Sequence, residues 1–138
     1  MIGRIYVDSS FAIASIVDNH EFHEMAKSRI DKLPNARLCF SLLTIDEVIN
    51  AIKRYKLAQS KILKAVRDHI LDLENLEIVS YEPALSSLKE YLEVYSSMGL
   101  KPRDSLHLHI MRENMLDTIA TFDTDFISKK SKLEIKIV

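Results

Sequence analysis

The chain has 138 residues, 47% hydrophobic and 28% charged, with 19 Lys+Arg, 20 Asp+Glu and a formal net charge of −1. That length fits a single domain over residues 1–138, and the near-neutral balance argues against binding nucleic acid by bulk charge alone. One cysteine, Cys39, excludes an internal disulfide and a CxxC zinc site, and suits a reducing cytoplasmic setting. No stretch reaches the roughly 18 apolar residues of a membrane span. The apolar N-terminal run is broken by Arg4 and Asp8 and has no convincing cleavage site, so it reads as strand and helix rather than signal peptide.

Ile5–Val7 reads as a short buried strand. Ser9 to about Val17 reads as a helix, with Phe11, Ile13, Ala14 and Val17 making a mostly apolar surface. Asp18 or Asn19 is placed to cap a helix over about 20–33, which Pro34 follows. Arg37–Leu42 is a second strand. Thr44 is placed to cap the next helix, with Glu47 three residues on in capping-box position. Ile45, Val48, Ile49 and Ile52 give that helix its core spacing. A further helix runs over about 57–73. Leu76–Val79 is a third strand, and a helix from Glu82 or Pro83 ends near Gly99, a C-cap glycine. Pro102 precedes a helix over 103–114. Thr118–Thr121 is a fourth strand and Glu134–Val138 a fifth. Strands alternating with helices predict an α/β fold, its parallel sheet covered on both faces. In such sheets ligands bind beyond the carboxyl ends of the strands.

Asp8, Glu47, Asp104 and Asp123 each stand where an apolar strand ends or a helix begins. Capping accounts for each one singly. Asp8 suits the helix after the first strand, Asp104 the dipole of the helix after Pro102, Glu47 a capping box, and Asp123 a short helix over 125–128. Together at one sheet edge, four carboxylates would repel one another unless a cation neutralised them. Oxygen-only donors suit Mg²⁺ or Mn²⁺ rather than Zn²⁺. Such an ion activates water and shields phosphate oxygens, so the set points to phosphodiester hydrolysis. Between Ile52 and Arg67 there are six basic residues and no acidic one. Lys53, Arg54 and Lys56 are its candidate nucleic-acid phosphate contacts, the alternative being a solvated helix face.

The four strings resemble, in order and over nearly the whole chain, the motifs of PIN-domain ribonucleases, specifically the VapC-type toxins. Ile5-Tyr6-Val7-Asp8-Ser9-Ser10 resembles the opening strand with its first metal-binding acid. Thr44-Ile45-Asp46-Glu47 resembles the T-x-x-E motif. Arg103-Asp104-Ser105-Leu106-His107-Leu108 resembles R-D-A-L-H-L, with serine for the usual alanine. Thr121-Phe122-Asp123-Thr124-Asp125-Phe126 resembles T-x-D-x-D-F. The resemblance implies a three-layer α/β/α sandwich with a central parallel sheet of four to five strands. It implies Mg²⁺- or Mn²⁺-dependent cleavage of RNA to a 5′-phosphate and a 3′-hydroxyl. Asp8, Asp104 and Asp123 would hold metal, Glu47 would bind metal or orient the attacking water, and Ser10 and Asp125 would support them. It also implies an antitoxin partner and a homodimer, for which Phe11, Ile16, Phe22, Met25, Tyr55 and Leu57 offer apolar surface, the alternative being that they pack in the core. Asp46 competes with Glu47, since neighbouring helix residues point about 100° apart; the T-x-x-E spacing favours Glu47.

Other chemistries fit less well. His20-Glu21-Phe22-His23 spaces its histidines three apart, not four as H-E-x-x-H requires, and reads as two exposed histidines at a helix start. His107 lies one turn after Asp104 and reads as a packing or supporting residue. Phosphate-loop, dinucleotide and serine-hydrolase motifs are absent. A receiver or phosphatase built on Asp8 would want an acidic partner that Ser10 and Ser80 do not supply. The rival within the fold is a catalytically inactive RNA-binding or regulatory module, motivated by the near-neutral charge.

Overall fold

Five short strands pair side by side, all parallel: β1 (Arg4–Val7), β2 (Arg37–Phe40), β3 (Leu76–Ile78), β4 (Thr118–Ala120) and β5 (Lys136–Ile137). The structure is a computed structural model and describes residues 3–138. The sheet order is β3-β2-β1-β4-β5. Between the strands run α1 (Ser9–Ile16), α2 (His23–Asp31), α3 (Leu42–Lys53), α4 (Gln59–Val66), α5 (Leu85–Met98), α6 (Pro102–Glu113), α7 (Thr124–Ser128) and α8 (Lys130–Leu133).

The pleat sorts the core into two layers. Ile5 and Val7, Leu38 and Phe40, and Ala120 face α1–α4, where they bury Phe11, Ala14, Val48, Ile52, Ile62 and Val66. Tyr6, Cys39 and Ile119 point the other way, toward Val94, Leu108, Met111, Phe126 and Leu133 of α5–α8. The result is a three-layer α/β/α sandwich. Each large apolar side chain removed from water on either face contributes roughly 1.5–3 kcal/mol.

The chain leaves β1 toward β2 and β3, then crosses back over β1 to β4 and β5. The order therefore reverses between β1 and β4. At that switch point the Asp8 N–H donates to Ala120 O at 3.2 Å, the last rung of the β1–β4 ladder. Parallel strands diverging to opposite sides leave a crevice there; Asp8 follows directly on β1, and Asp123 lies three residues past the end of β4.

Local boundaries depart from expectation where side chains cap differently. The second helix starts at His23, not His20: Phe22 is its N-cap without a side-chain bond, and the Phe22 N–H donates to His20 Nδ1 in the preceding turn. His23 is buried rather than exposed, with Nδ1 2.8 Å from Ala14 O. Ser41, not Thr44, caps α3, since its Oγ accepts from the Thr44 N–H at 3.3 Å; β2 therefore stops at Phe40. The 57–73 helix is interrupted, α4 passing into a π-helical turn over Arg67–Leu71. The 82–99 helix starts at Leu85, with Ala84 in extended geometry as its N-cap. A short helix, α8, precedes β5, which is reduced to two residues. Phe11 and Ile16, offered above as partner surface, are core residues, whereas Met25, Tyr55 and Leu57 are exposed.

Gly99 closes α5 at φ 70°. A methyl group there would sit 3.6 Å from Lys129 Nζ, an ordinary contact, so the cost of substitution is the left-handed backbone. Gly99→Ala should lower stability by about 1–2 kcal/mol in denaturant melts, without altering the circular dichroism of the native state.

Candidate active site

Asp8 is the most enclosed of the acids, 3% exposed. It is also the N-cap of α1, so its backbone leaves β1 while its carboxylate folds back over the first helical turn. Oδ1 accepts from Ser10 Oγ at 2.8 Å and from the Phe11 N–H at 3.1 Å, and Oδ2 accepts from Thr121 Oγ1. Burial pushes its carboxyl above the usual aspartate range, and these three donors pull against that shift. Ser10 Oγ also accepts from the Phe122 N–H at 3.0 Å, and Thr121 Oγ1 from the Asp123 N–H at 2.9 Å. Two hydroxyls thus stitch the end of β1 to the turn after β4.

That turn carries Asp123, the N-cap of α7, whose Oδ1 accepts from the Asp125 N–H at 2.9 Å. Asp104 enters from the first turn of α6, with Pro102 opening the helix. Asp104, Asp123 and Asp125 each offer an oxygen lying within 4.8 Å of the others. The Asp104 carboxyl is pushed up to about 6, by burial first and then by the charges of Asp123, Asp125 and Asp8, while His107 opposes the rise. Among the described residues, none of these four aspartates makes an ion pair with lysine or arginine. A hard cation would relieve this crowding, and an all-oxygen donor set suits Mg²⁺ or Mn²⁺.

Glu47 follows a different path. On α3 it faces inward while Asp46 is exposed. Its Oε1 pairs with His107 Nε2, and His107 Nδ1 is 2.5 Å from Tyr6 Oη. Tyr6 Oη lies 2.7 Å from Ser41 Oγ, and Thr44 Oγ1 donates to Val7 O at 2.9 Å. Tyr6, Ser41, Thr44 and His107 are all buried. Burial is the main cause that raises the Tyr6 phenol, with Asp8 and Glu47 adding to it, so the hydroxyl stays protonated and neutral. The chain Glu47–His107–Tyr6–Ser41 fixes the imidazole at both nitrogens and anchors one oxygen of Glu47.

The structure therefore gathers Asp104, Asp123 and Asp125 most tightly, sets Asp8 against them through Thr121, and joins Glu47 through His107. Asp125 sits in the cluster itself rather than behind it. Thr121, Tyr6 and Ser41 are site residues that sequence reading missed; the available signal was a polar side chain at each strand end, facing opposite to its apolar neighbours. Lys53 is exposed at the far end of α3, six residues and so about 9 Å along the helix past Glu47, and Arg54 and Lys56 are exposed at its C-cap and in the turn beyond. Lys101 and Arg103, also exposed, closely precede Asp104 in sequence. A cavity of about 320 Å³ on the α1–α4 side, lined by Phe11, His23, Phe40 and His69, holds none of the site acids.

A family model described as PIN domain matches residues 5–132. Among solved structures, the chain is similar to Mycobacterium tuberculosis VapC20, described as a sarcin-ricin loop cleaving toxin, at 17% identity and TM-score 0.71, covering 90% of this chain and 93% of that one. It is similar to PAE2754 from Pyrobaculum aerophilum at 22% identity and TM-score 0.63, covering 100% and 92%. It is also similar to VapBC2 from Rickettsia felis, solved bound to a DNA fragment from its promoter, at 12% identity and TM-score 0.71, covering 98% of each. At these identities the likeness is one of fold. No curated protein matches the chain in sequence.

The raised Asp104 has a measurable consequence. Its folded value of about 6 exceeds the ordinary 3.8, so its protonated form favours folding. That contribution is fully present below about pH 4 and is lost as pH rises through about 6. In EDTA, Tm should therefore gain from Asp104 protonation between about pH 7 and pH 5, and Asp104→Asn should flatten that part of the profile. At pH 7 the substitution should stabilise the metal-free protein by on the order of 1 kcal/mol, after discounting for the solvent-facing side of the carboxyl. An Asp104→Asn protein less stable than wild type at pH 7 would contradict the crowding argument.

Proposed function

The chain belongs to the PIN domain family, and from that premise we propose that it is a metal-dependent endoribonuclease that hydrolyses RNA phosphodiester bonds. We infer that residues 1–138 form one nuclease domain, acting in the cytoplasm as the toxin of a toxin–antitoxin pair. The observation that carries the reading is the convergence of Asp104, Asp123 and Asp125 at the β1–β4 switch point with no basic counterion among the described residues. The toxin assignment draws on VapC20 and VapBC2, whose folds this chain shares.

Asp8, Asp104 and Asp123 would hold Mg²⁺ or Mn²⁺, with Asp125 near enough to contribute an oxygen or a water contact. When bound, such an ion neutralises the cluster, lowers the pKa of water and offsets charge on the phosphate. Ser10 and Thr121 keep the Asp8 carboxylate in one orientation, so little freedom is lost on loading. Glu47, held at Oε1 by His107, keeps Oε2 for the proton of the attacking water. His107 holds Glu47 in place and is itself aligned by Tyr6. Lys101 and Arg103, beside Asp104, would meet the RNA backbone first; Lys53, Arg54 and Lys56 would contact it only further along.

For partners, exposed apolar side chains remain. Leu85, Leu88, Leu92 and Tyr95 make a stripe along α5 at three- and four-residue spacing, a suitable face for a homodimer. Met25, Tyr55 and Leu57 would receive an antitoxin segment. The competing reading, a module that binds RNA without cutting it, is favoured only by the near-neutral charge.

Purified protein should cut RNA with Mg²⁺ or Mn²⁺ and stop in EDTA. Asp8→Asn and Asp104→Asn should each slow cleavage about a hundredfold or more, with native circular dichroism retained. Cleavage that survives both substitutions and chelation would sink the mechanism; tight RNA binding with no metal uptake by calorimetry would favour the inactive module. His107→Ala should lower the cleavage rate by about ten- to a hundredfold while leaving RNA affinity within about twofold.

A further inference from the structure

We propose that Glu90, His109 and Glu113 form a second divalent-metal site, at the seam between α5 and α6, that takes Zn²⁺ in preference to Mg²⁺. None of these residues belongs to the acidic edge described above. One donor atom from each lies within 4.8 Å of the other two.

His109 is the anchor. It is 2% exposed, in a seam otherwise built from apolar side chains such as Val94 and Leu106. Its Nε2 lies 2.8 Å from Ser87 Oγ and 3.4 Å from Glu113 Oε1. The rings of Tyr81 and Tyr91 flank the imidazole, with centroids 6.0 and 6.2 Å away. The two tyrosines keep the ring in one orientation, and because Ser87 and Glu113 meet the same nitrogen, an ion held at Nε2 takes the place of the Ser87 contact.

The carboxylates come from both helices. Glu113 is one turn past His109 on α6, and its Oε2 accepts from the Glu82 N–H at 3.2 Å. Glu90 is one turn past Ser87 on α5. Pairs of side chains one turn apart on two facing helices are a standard way to build a metal site between helices. A cleft of about 260 Å³ lined by Glu90, Glu93, Ser97, His109 and Arg112 gives an ion a route to the imidazole. Arg112 is the one basic group lining that cleft, against two glutamates.

One imidazole nitrogen with two carboxylate oxygens mixes nitrogen and oxygen donors, as Zn²⁺ accepts, whereas Mg²⁺ prefers oxygen alone. An ion there would tie α5 to α6, the helix that carries Asp104 and His107. The simpler account is a buried imidazole paired with Glu113 and indifferent to metal. The two accounts predict different titrations.

The test uses the full chain carrying Asp104→Asn and Asp123→Asn, which removes the other carboxylate cluster. Zn²⁺ alone is titrated by calorimetry, and Co²⁺ by visible absorption. One equivalent of Zn²⁺ should bind and raise Tm, and Co²⁺ bound in its absence should give ligand-field bands that added Zn²⁺ abolishes. His109→Ala should abolish binding and the bands. Glu90 is exposed, so Glu90→Gln should leave the fold intact while weakening Zn²⁺ at least about tenfold, the smallest loss expected even of a supporting group. If His109→Ala fails to fold, Glu90→Gln decides alone. No Zn²⁺ uptake, or uptake unchanged by Glu90→Gln, would overturn the site.

Discussion

Carboxylates held close together without counterions are the constraint around which this fold is arranged. Two unit charges 4 Å apart repel by about 4 kcal/mol at an effective dielectric of 20. The chain meets that cost unevenly. Burial raises both carboxyls, but Asp8 has three hydrogen-bond donors on its two oxygens and is locked in place, while Asp104 is crowded by its neighbours and rises to about 6. One carboxylate is prepared in advance, and the other waits for charge to arrive. A site with every acid satisfied by protein donors would be more stable and would have little left to offer an ion.

The sheet makes this arrangement possible. At the end of β1 the pleat sends Val7 into the α1–α4 layer and Tyr6 into the α5–α8 layer. Tyr6 is mostly core, yet its hydroxyl reaches Ser41 at the end of β2 and His107 on α6. It therefore carries a polar thread from one layer to the other at the acidic edge. Ser41 has a similar double use, capping α3 through Oγ and closing the thread. Ends of strands, starts of helices and site chemistry share the same few residues because orphan N–H groups and ligand oxygens occupy the same edge.

Much of this was legible in the chain. Apolar runs bounded by acids gave the strands, and alternation with helices gave parallel pairing and the edge at which Asp8 and Asp123 must lie. What escaped notice depends on partners distant in sequence. Thr44 looks like a cap beside Glu47, but Ser41 does the capping, and Glu47 instead meets His107, sixty residues on. The hydroxyl of Thr121 is an unremarkable strand-end threonine until β4 is laid beside β1. Asp18 and Asn19 have the right chemistry for a helix cap, yet the chain turns once more and His23 is pulled inward to Ala14. Local propensity proposes such caps; the tertiary hydrogen bond decides among them.

Helix α6 shows how one segment can serve two environments. At about 100° per residue, Asp104, His107, Leu108 and Met111 fall on one side, toward the sheet and its acidic edge. His109 is about 200° from His107 and, with Glu113, faces α5. The string Ser105-Leu106-His107-Leu108-His109-Ile110 has the strict polar–apolar alternation of a strand, which is why its helical character rests on Pro102 and on capture by both neighbours rather than on its own periodicity. Two buried histidines on opposite sides of one helix each need a carboxylate or hydroxyl partner, and each has one of both kinds: Glu47 and Tyr6 for His107, Glu113 and Ser87 for His109. A helix so held at two faces cannot rotate or slide without breaking a buried polar pair, and its rigidity is what keeps Asp104 opposite Asp123.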